Sequence, residues 1–272
     1  MFTRSLLTRS LQIAVLSTLS CLAVAQQKSR QQQSIDPPGA VAGCAVTYTS
    51  GTGHNLTQYC VTTNGNIVQF SRGGDEYISV GSFLEGYGLC DESANVSYYD
   101  YAGAVSDNWL SANFSHTAKK ATSTRVTSDG IWEITNTISQ VAANAAGPGA
   151  AKVSMQIRNR TAADRIIQVI RYADADFSRD GVDNFNNDFD YSIDTASALE
   201  PGFGTGLSLT TNTFNFEHAA YAQDVSEPPD PCDAFPNIAA QPFVGDGSIA
   251  HAYAFEVPAN GSKTVVLTYK PI

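Results

Sequence analysis

From Lys152 to Asn159 the chain reads KVSMQIRN, with Val153, Met155 and Ile157 alternating against Ser154, Gln156 and Arg158. A period of two places the apolar side chains on one face of a half-buried strand. RIIQVIRYA, from Arg165 to Ala173, is apolar on both parities, as a central strand is. SKTVVLTYK, from Ser262 to Lys270, carries Val265, Leu267 and Tyr269 on one face. Runs rich in β-branched and aromatic residues predict further strands at 44–49, 58–62, 67–71, 77–80, 97–101, 122–128, 131–142, 208–216 and 250–257. TNGN (63–66) and SDG (128–130) have hairpin-turn chemistry, because Asn and Gly accept positive φ. No stretch holds a 3.6-residue period over a dozen residues; 115–120 is the best place for one helical turn. There is no internal repeat. Many short antiparallel strands with little helix predict an all-β protein, a large antiparallel β-sandwich.

The chain's beginning changes the picture of where it works. Arg4 and Arg9 precede an apolar run at 11–22, and Ala23-Val24-Ala25 is a small-x-small cleavage site. Residues 1–25 read as a signal peptide and the Gln/Ser-rich 26–42 as a flexible leader, leaving 43–272 as a single sandwich domain. Cys21 lacks, at Thr18, the aliphatic residue of a lipid-attachment signal. The expected location is secreted or periplasmic, with no membrane span. Cys44, Cys60, Cys90 and Cys232 remain after cleavage, and an even number in an exported chain points to two disulfides. Four cysteines allow three pairings. A hairpin expected between Cys44 and Cys60 favours that pair and leaves Cys90–Cys232. No C-x-x-C pair supports zinc. With 16 basic against 26 acidic residues, the chain repels nucleic acid, which is excluded as a partner.

Acid is unevenly spread: seven aspartates fall between Arg171 and Asp194. Within them Asp176, Ser178 and Asp180 alternate before Gly181, the arrangement by which oxygens wrap one ion and glycine allows a sharp turn. Val182 offers a carbonyl, and Asn184 with Asn187 or Asp188 closes the shell. The dozen residues resemble the loops of dockerin and thrombospondin type 3 repeats, which implies calcium. Serine at the third position, Asn187 at the twelfth and the cation Arg179 depart from that pattern. The competing reading is a solvated acidic loop of Asx-turns, or strand-end caps in which Asp174 and Asp176 pair with Arg171 or Arg165.

A wider similarity runs from EGYGLCDESANVSYYDYAG through MQIRNRTAADRIIQVIRYADAD to FEVPANGSKTVVLTYK. These pieces resemble a diffuse group of uncharacterised exported bacterial proteins with an E-G-W/Y-G turn, an R-Y-x-D-x-D strand and a closing strand ending in Tyr. The resemblance implies a β-sandwich, here supersandwich-like, and no activity.

Nucleophile and metal motifs are missing. His54, His116, His218 and His251 are scattered without H-E-x-x-H spacing, and there is no G-x-S-x-G or P-loop. Glu85, Glu133, Glu217 and the aspartates supply carboxylates for glycoside chemistry only in the sense that any acidic chain does. For binding, Tyr99 and Tyr101 share a strand face, with Trp109 nearby, as a platform for sugar rings; core packing competes with that role. Five N-x-S/T sequons, at Asn55, Asn95, Asn113, Asn159 and Asn260, matter only in a glycosylating host. The sequence thus predicts an exported structural or ligand-binding sandwich protein, with calcium and carbohydrate as candidate ligands. The alternative is a carbohydrate-active enzyme or mutarotase-like protein, on fold analogy alone.

Overall fold

The computed structural model describes residues 43–80, 85–102, 105–145, 147–223, 229–235 and 242–272. The expected signal peptide and leader lie outside the described residues. The strands, in chain order, are β1 (Cys44–Ser50), β2 (Thr57–Thr62), β3 (Ile67–Arg72), β4 (Asp75–Glu76), β5 (Glu85–Asp91), β6 (Val96–Asp100), β7 (Asn113–His116), β8 (Lys120–Val126), β9 (Trp132–Val141) and β10 (Ala150–Asn159). They continue as β11 (Arg165–Asp174), β12 (Phe177–Arg179), β13 (Val182–Asn184), β14 (Asn187–Tyr191), β15 (Thr195–Leu199), β16 (Gly206–Thr211), β17 (Glu217–Gln223), β18 (Phe243–Gly245), β19 (Ser248–Val257) and β20 (Ser262–Pro271). Two 3₁₀ turns, Gly53–Asn55 and Pro231–Asp233, are the only helical pieces among the described residues.

The strands form three antiparallel sheets. One has nine strands in the order β18-β14-β15-β16-β20-β10-β9-β8-β7, and one has five in the order β17-β19-β11-β5-β6. These two face each other across the larger of two apolar clusters. Val153, Met155, Leu267 and Tyr269 come from the larger sheet, and Leu89, Ile167, Val169 and Tyr253 from the smaller. The third sheet, β1-β2-β3-β4-β12-β13, adds Tyr59, Phe70 and Tyr77 to the same core. The expected two-layer sandwich is therefore present, with an extra sheet that the alternation pattern did not resolve.

Both disulfides form as favoured, Cys44–Cys60 and Cys90–Cys232. The first joins β1 to its neighbour β2, and the second fastens the Pro231–Asp233 turn onto β5. Two expectations fail locally. Residues 115–120 hold no helical turn: β7 and β8 meet there as a hairpin, closed by the Thr117 N–H donating to the Lys120 carbonyl at 2.8 Å. EGYG is not a turn but the start of β5, which is buried along its whole length. Its glycines answer to close approach. A Cβ on Gly86 would lie 1.8 Å from the Asp100 carbonyl oxygen, and one on Gly88 would lie 2.4 Å from Pro231.

Acids on β5 and β6 hold the sheets together. Glu85 and Arg171 have fully buried side chains and form a direct ion pair. The Tyr269 hydroxyl donates to Glu85 Oε1 at 2.5 Å and the Ile67 N–H donates to its Oε2 at 2.5 Å, so all three sheets meet at this carboxylate. Burial pushes the Glu85 carboxyl up, and Arg171 pulls against it. Asp91 accepts from Arg165 at 2.5 Å and from the Trp132 indole at 3.0 Å. Asp100 accepts from Arg125 at 2.6 Å, Asn64 at 2.8 Å and Asn66 at 2.9 Å. Charges so enclosed are tolerated because each is paired and hydrogen-bonded. Glu85 is therefore an architectural carboxylate, not one facing a cleft.

Candidate functional site

The acidic run from Asp174 onward does not wrap a single loop. Phe177–Arg179 and Val182–Asn184 pair as a hairpin, Ser178 opposite Asp183, with Asp180 and Gly181 at φ 51° and 78° forming its turn. Two consecutive positive φ values are what a tight hairpin turn needs. The alternating oxygens read from the sequence thus diverge. Asp180 and Val182 are exposed, Ser178 is buried on the strand opposite Glu76, and Asn184 and Asp188 are half-buried. Asp176 and Asn187 stay in one neighbourhood, the Asn187 Nδ2 donating to the Ala175 carbonyl at 3.1 Å. There Asp176 meets Asp174 and a residue the sequence did not single out, Asp246, with one carboxylate oxygen of each lying within 4.8 Å of the others. Asp246 is 70 residues away and sits between β18 and β19, so no local spacing announces it.

The aromatic trio also separates. Tyr99 and Tyr101 stack on each other at 5.4 Å on the outer face of the five-stranded sheet. Tyr101 is buried, its hydroxyl donating to the Pro229 carbonyl at 2.9 Å. Trp109 lies on the other side of β6, edge-on to Tyr87 and Tyr98, with the Arg125 guanidinium 4.9 Å from its ring. Alternation along the strand is the reason: Tyr98 and Tyr99 point to opposite faces. The three rings do not form one platform.

A different set of residues surrounds open space. His54, Arg72, Gly73, Asp75, Tyr77, Arg179, Asp180 and Thr205 line a cleft of about 390 Å³. The third sheet supplies most of its wall, because β3 and β4 turn at Gly73-Gly74 and β12 pairs with β4. Arg179 is its organising cation. Its Nη2 lies 3.1 Å from Asp75, 2.8 Å from Glu200 and 2.6 Å from the Thr205 hydroxyl. Its guanidinium also stacks 4.2 Å from the Phe203 ring, which is 59% exposed. The Tyr77 hydroxyl is buried without a hydrogen-bond partner, and the charges acting on it are those of Asp75, Arg72, Arg179 and Glu200. Burial holds the Asp75 carboxyl above the usual carboxylate range, against the pull of Arg179. Hydrogen bonding to Glu200 raises the Arg179 guanidinium further above its ordinary value. Sequence reading missed this cleft because its residues come from four separate segments.

Of the four histidines, His54 lines the cleft. His218 and His251 stack at 5.8 Å beside Tyr253, on the core side of the five-stranded sheet. His116 lies on β7 in ring contact with Phe114.

No family model matches the chain, and no curated protein matches it. Among solved structures, a bacterial glucoamylase in complex with acarbose is similar over 89% of this chain and 35% of its own, with a TM-score of 0.58 and 9% identity. A protein described as an aldose 1-epimerase from Escherichia coli K12 is similar over 84% of this chain and 99% of its own, with a TM-score of 0.49 and 13% identity. Heparan sulfate lyase HepC from Pedobacter heparinus, as a mutant, is similar over 83% of this chain and 34% of its own, with a TM-score of 0.43 and 9% identity. The glucoamylase likeness shows a shared fold, and this chain spans about a third of that protein's length.

Proposed function

We propose that this is an exported, non-catalytic carbohydrate-binding protein whose ligand enters the cleft around Arg179. The observation that carries the reading is the open cleft on whose wall one guanidinium is held by two carboxylates beside an exposed aromatic ring. Neighbouring hydroxyls of a sugar are both donors and acceptors, so they bridge a carboxylate and a guanidinium. The exposed Phe203 ring at Arg179 supplies an apolar surface for the C–H face of a pyranose. The fold shared with an acarbose-binding glucoamylase makes sugars the first ligand class to test. Two disulfides fit an oxidising compartment outside the cytosol, and no helix among the described residues is long and apolar enough to cross a membrane.

A glycan array probed with the native protein, Phe203→Ala and Asp75→Asn tests the proposal. We expect a defined set of glycans to be retained by the native chain. Phe203→Ala then weakens binding about tenfold, the loss of one aromatic contact. No retained glycan, or equal retention by both variants, contradicts it. One observation favours catalysis on a sugar instead: the raised Asp75 carboxyl beside Glu200 has the form of a general acid. Incubating the retained glycans with the protein and following anomer ratio and reducing ends decides between the two.

A further inference from the structure

We infer that the glycan of the Arg179 cleft is acidic, and that Arg72 binds the carboxylate of one of its uronic acid units; this rests on the sugar-binding reading above and names the class of sugar. Two arginines line the cleft, and their situations differ. The charge of Arg179 is already answered, by Asp75 at 3.1 Å and Glu200 at 2.8 Å. Arg72 pairs with no carboxylate among the described residues, although Asp75 stands opposite it across the Gly73-Gly74 turn. The Asp75 side chain goes to Arg179 instead.

Arg72 is also fixed in place. Its Nε donates to the His54 carbonyl at 3.0 Å. That carbonyl belongs to the Gly53–Asn55 turn, which is held to the same hairpin by the Gly73 N–H donating to the Leu56 carbonyl at 2.8 Å. A guanidinium tied at Nε keeps both Nη groups for another partner, and together they form a planar fork that matches a carboxylate. Arg72 is half-buried beside the exposed His54, so the fork is set before a ligand arrives, and less freedom is lost on binding.

The remaining charges choose among anions. Asp75 and the exposed Asp180 also line the cleft. A phosphate ester with nearly two charges is repelled by both acids, whereas a carboxylate brings one charge that Arg72 cancels. A neutral sugar leaves the fork to water. A sulfate ester also carries one charge, so it enters the test as the competing anion.

The native chain is applied to an array of uronate oligosaccharides, the same oligosaccharides with each carboxyl reduced to an alcohol, sulfated neutral oligosaccharides and unmodified neutral ones. Solution titrations then give Kd for the uronates and their reduced forms. We expect a set of uronates to be retained and their reduced forms to bind about 10- to 100-fold more weakly, the loss of a charged bidentate contact. In Arg72→Gln the acid and reduced forms bind alike. Arg72→Lys keeps the charge without the fork and recovers only part of the difference. The comparison on the native chain needs no variant, so it stands even where Arg72→Gln fails to fold. Reduced or sulfated forms that bind as tightly as the uronates overturn the inference and leave the sugar-binding reading intact. A preference for uronates that survives Arg72→Gln overturns it too. An array on which no class is retained overturns both.

Discussion

His251 is fully buried, with the Tyr253 ring 4.8 Å away on one side and His218 5.8 Å away. His218 places Nδ1 2.9 Å from the Phe216 carbonyl and Nε2 2.9 Å from Asp194. Both partners accept, so both ring nitrogens of His218 donate when the ring is protonated. Despite the desolvation that opposes it, the Asp194 bond raises its pKa. His251 responds in the opposite direction: burial, then the charge of His218, lowers it to about 4. Above the unfolded value of about 6.5 His251 is neutral in both states. As pH falls from there towards 4, the unfolded chain takes a proton that the folded chain refuses. Stability is lost across that window by ~3 kcal/mol. His218 acts in the other sense, stabilising in acid and losing that contribution as pH rises through its raised pKa. His251→Phe keeps an aromatic ring and removes the first effect. Denaturant unfolding of both proteins between about pH 7.5 and pH 4 should show the variant gaining ~3 kcal/mol on the wild type. A difference that stays constant with pH would mean that folded His251 takes up the proton.

At the level of elements, the strongest local patterns became the longest strands. The KVSMQIRN alternation is β10, paired with β9 on one side and β20 on the other, and RIIQVIRYAD is β11 at the centre of its sheet. TNGN and SDG turn as their chemistry requires, with Gly65 and Gly130 at φ 88° and 74°. Strands β12 to β14 are three to five residues each and lie in the Asp/Asn-rich run. Their polar composition reads as loop, because β12 and β14 each send only one large apolar side chain, Phe177 and Phe189, into the core. The disulfides act at this scale too. Cys44–Cys60 closes a separation of 16 residues and Cys90–Cys232 one of 142. Chain entropy makes the longer closure the more stabilising by ~2 kcal/mol. Replacing each pair with alanines and comparing urea midpoints should rank Cys90/Cys232 as the costlier loss. The reverse order would place the stabilisation in local packing.

Across the whole molecule, sheet neighbours are often distant in sequence. β5 pairs with β11, β16 with β20, and β17 with β19. Closing such contacts costs loop entropy before the core rewards it, so refolding with disulfides intact should be slow, on the order of seconds. Trp132 is a suitable reporter, since its indole bonds Asp91 across the two facing sheets. Stopped-flow fluorescence complete within about a millisecond would contradict this picture of assembly.

The sequence alone settled the all-β class, the turns at TNGN and SDG, and the long central strands, because each depends on neighbours one to four residues away. It also placed acid and aromatic residues in the right segments without showing which of them meet. Tyr99 and Trp109 parted because Trp109 packs on Tyr98, which faces the opposite side of β6 from Tyr99. Asp174 and Asp176 met Asp246, and Arg179 met Asp75 and Glu200, because sheet order brings strand ends together from remote parts of the chain. A binding site is a set of distances, and only the folded sheets create those distances.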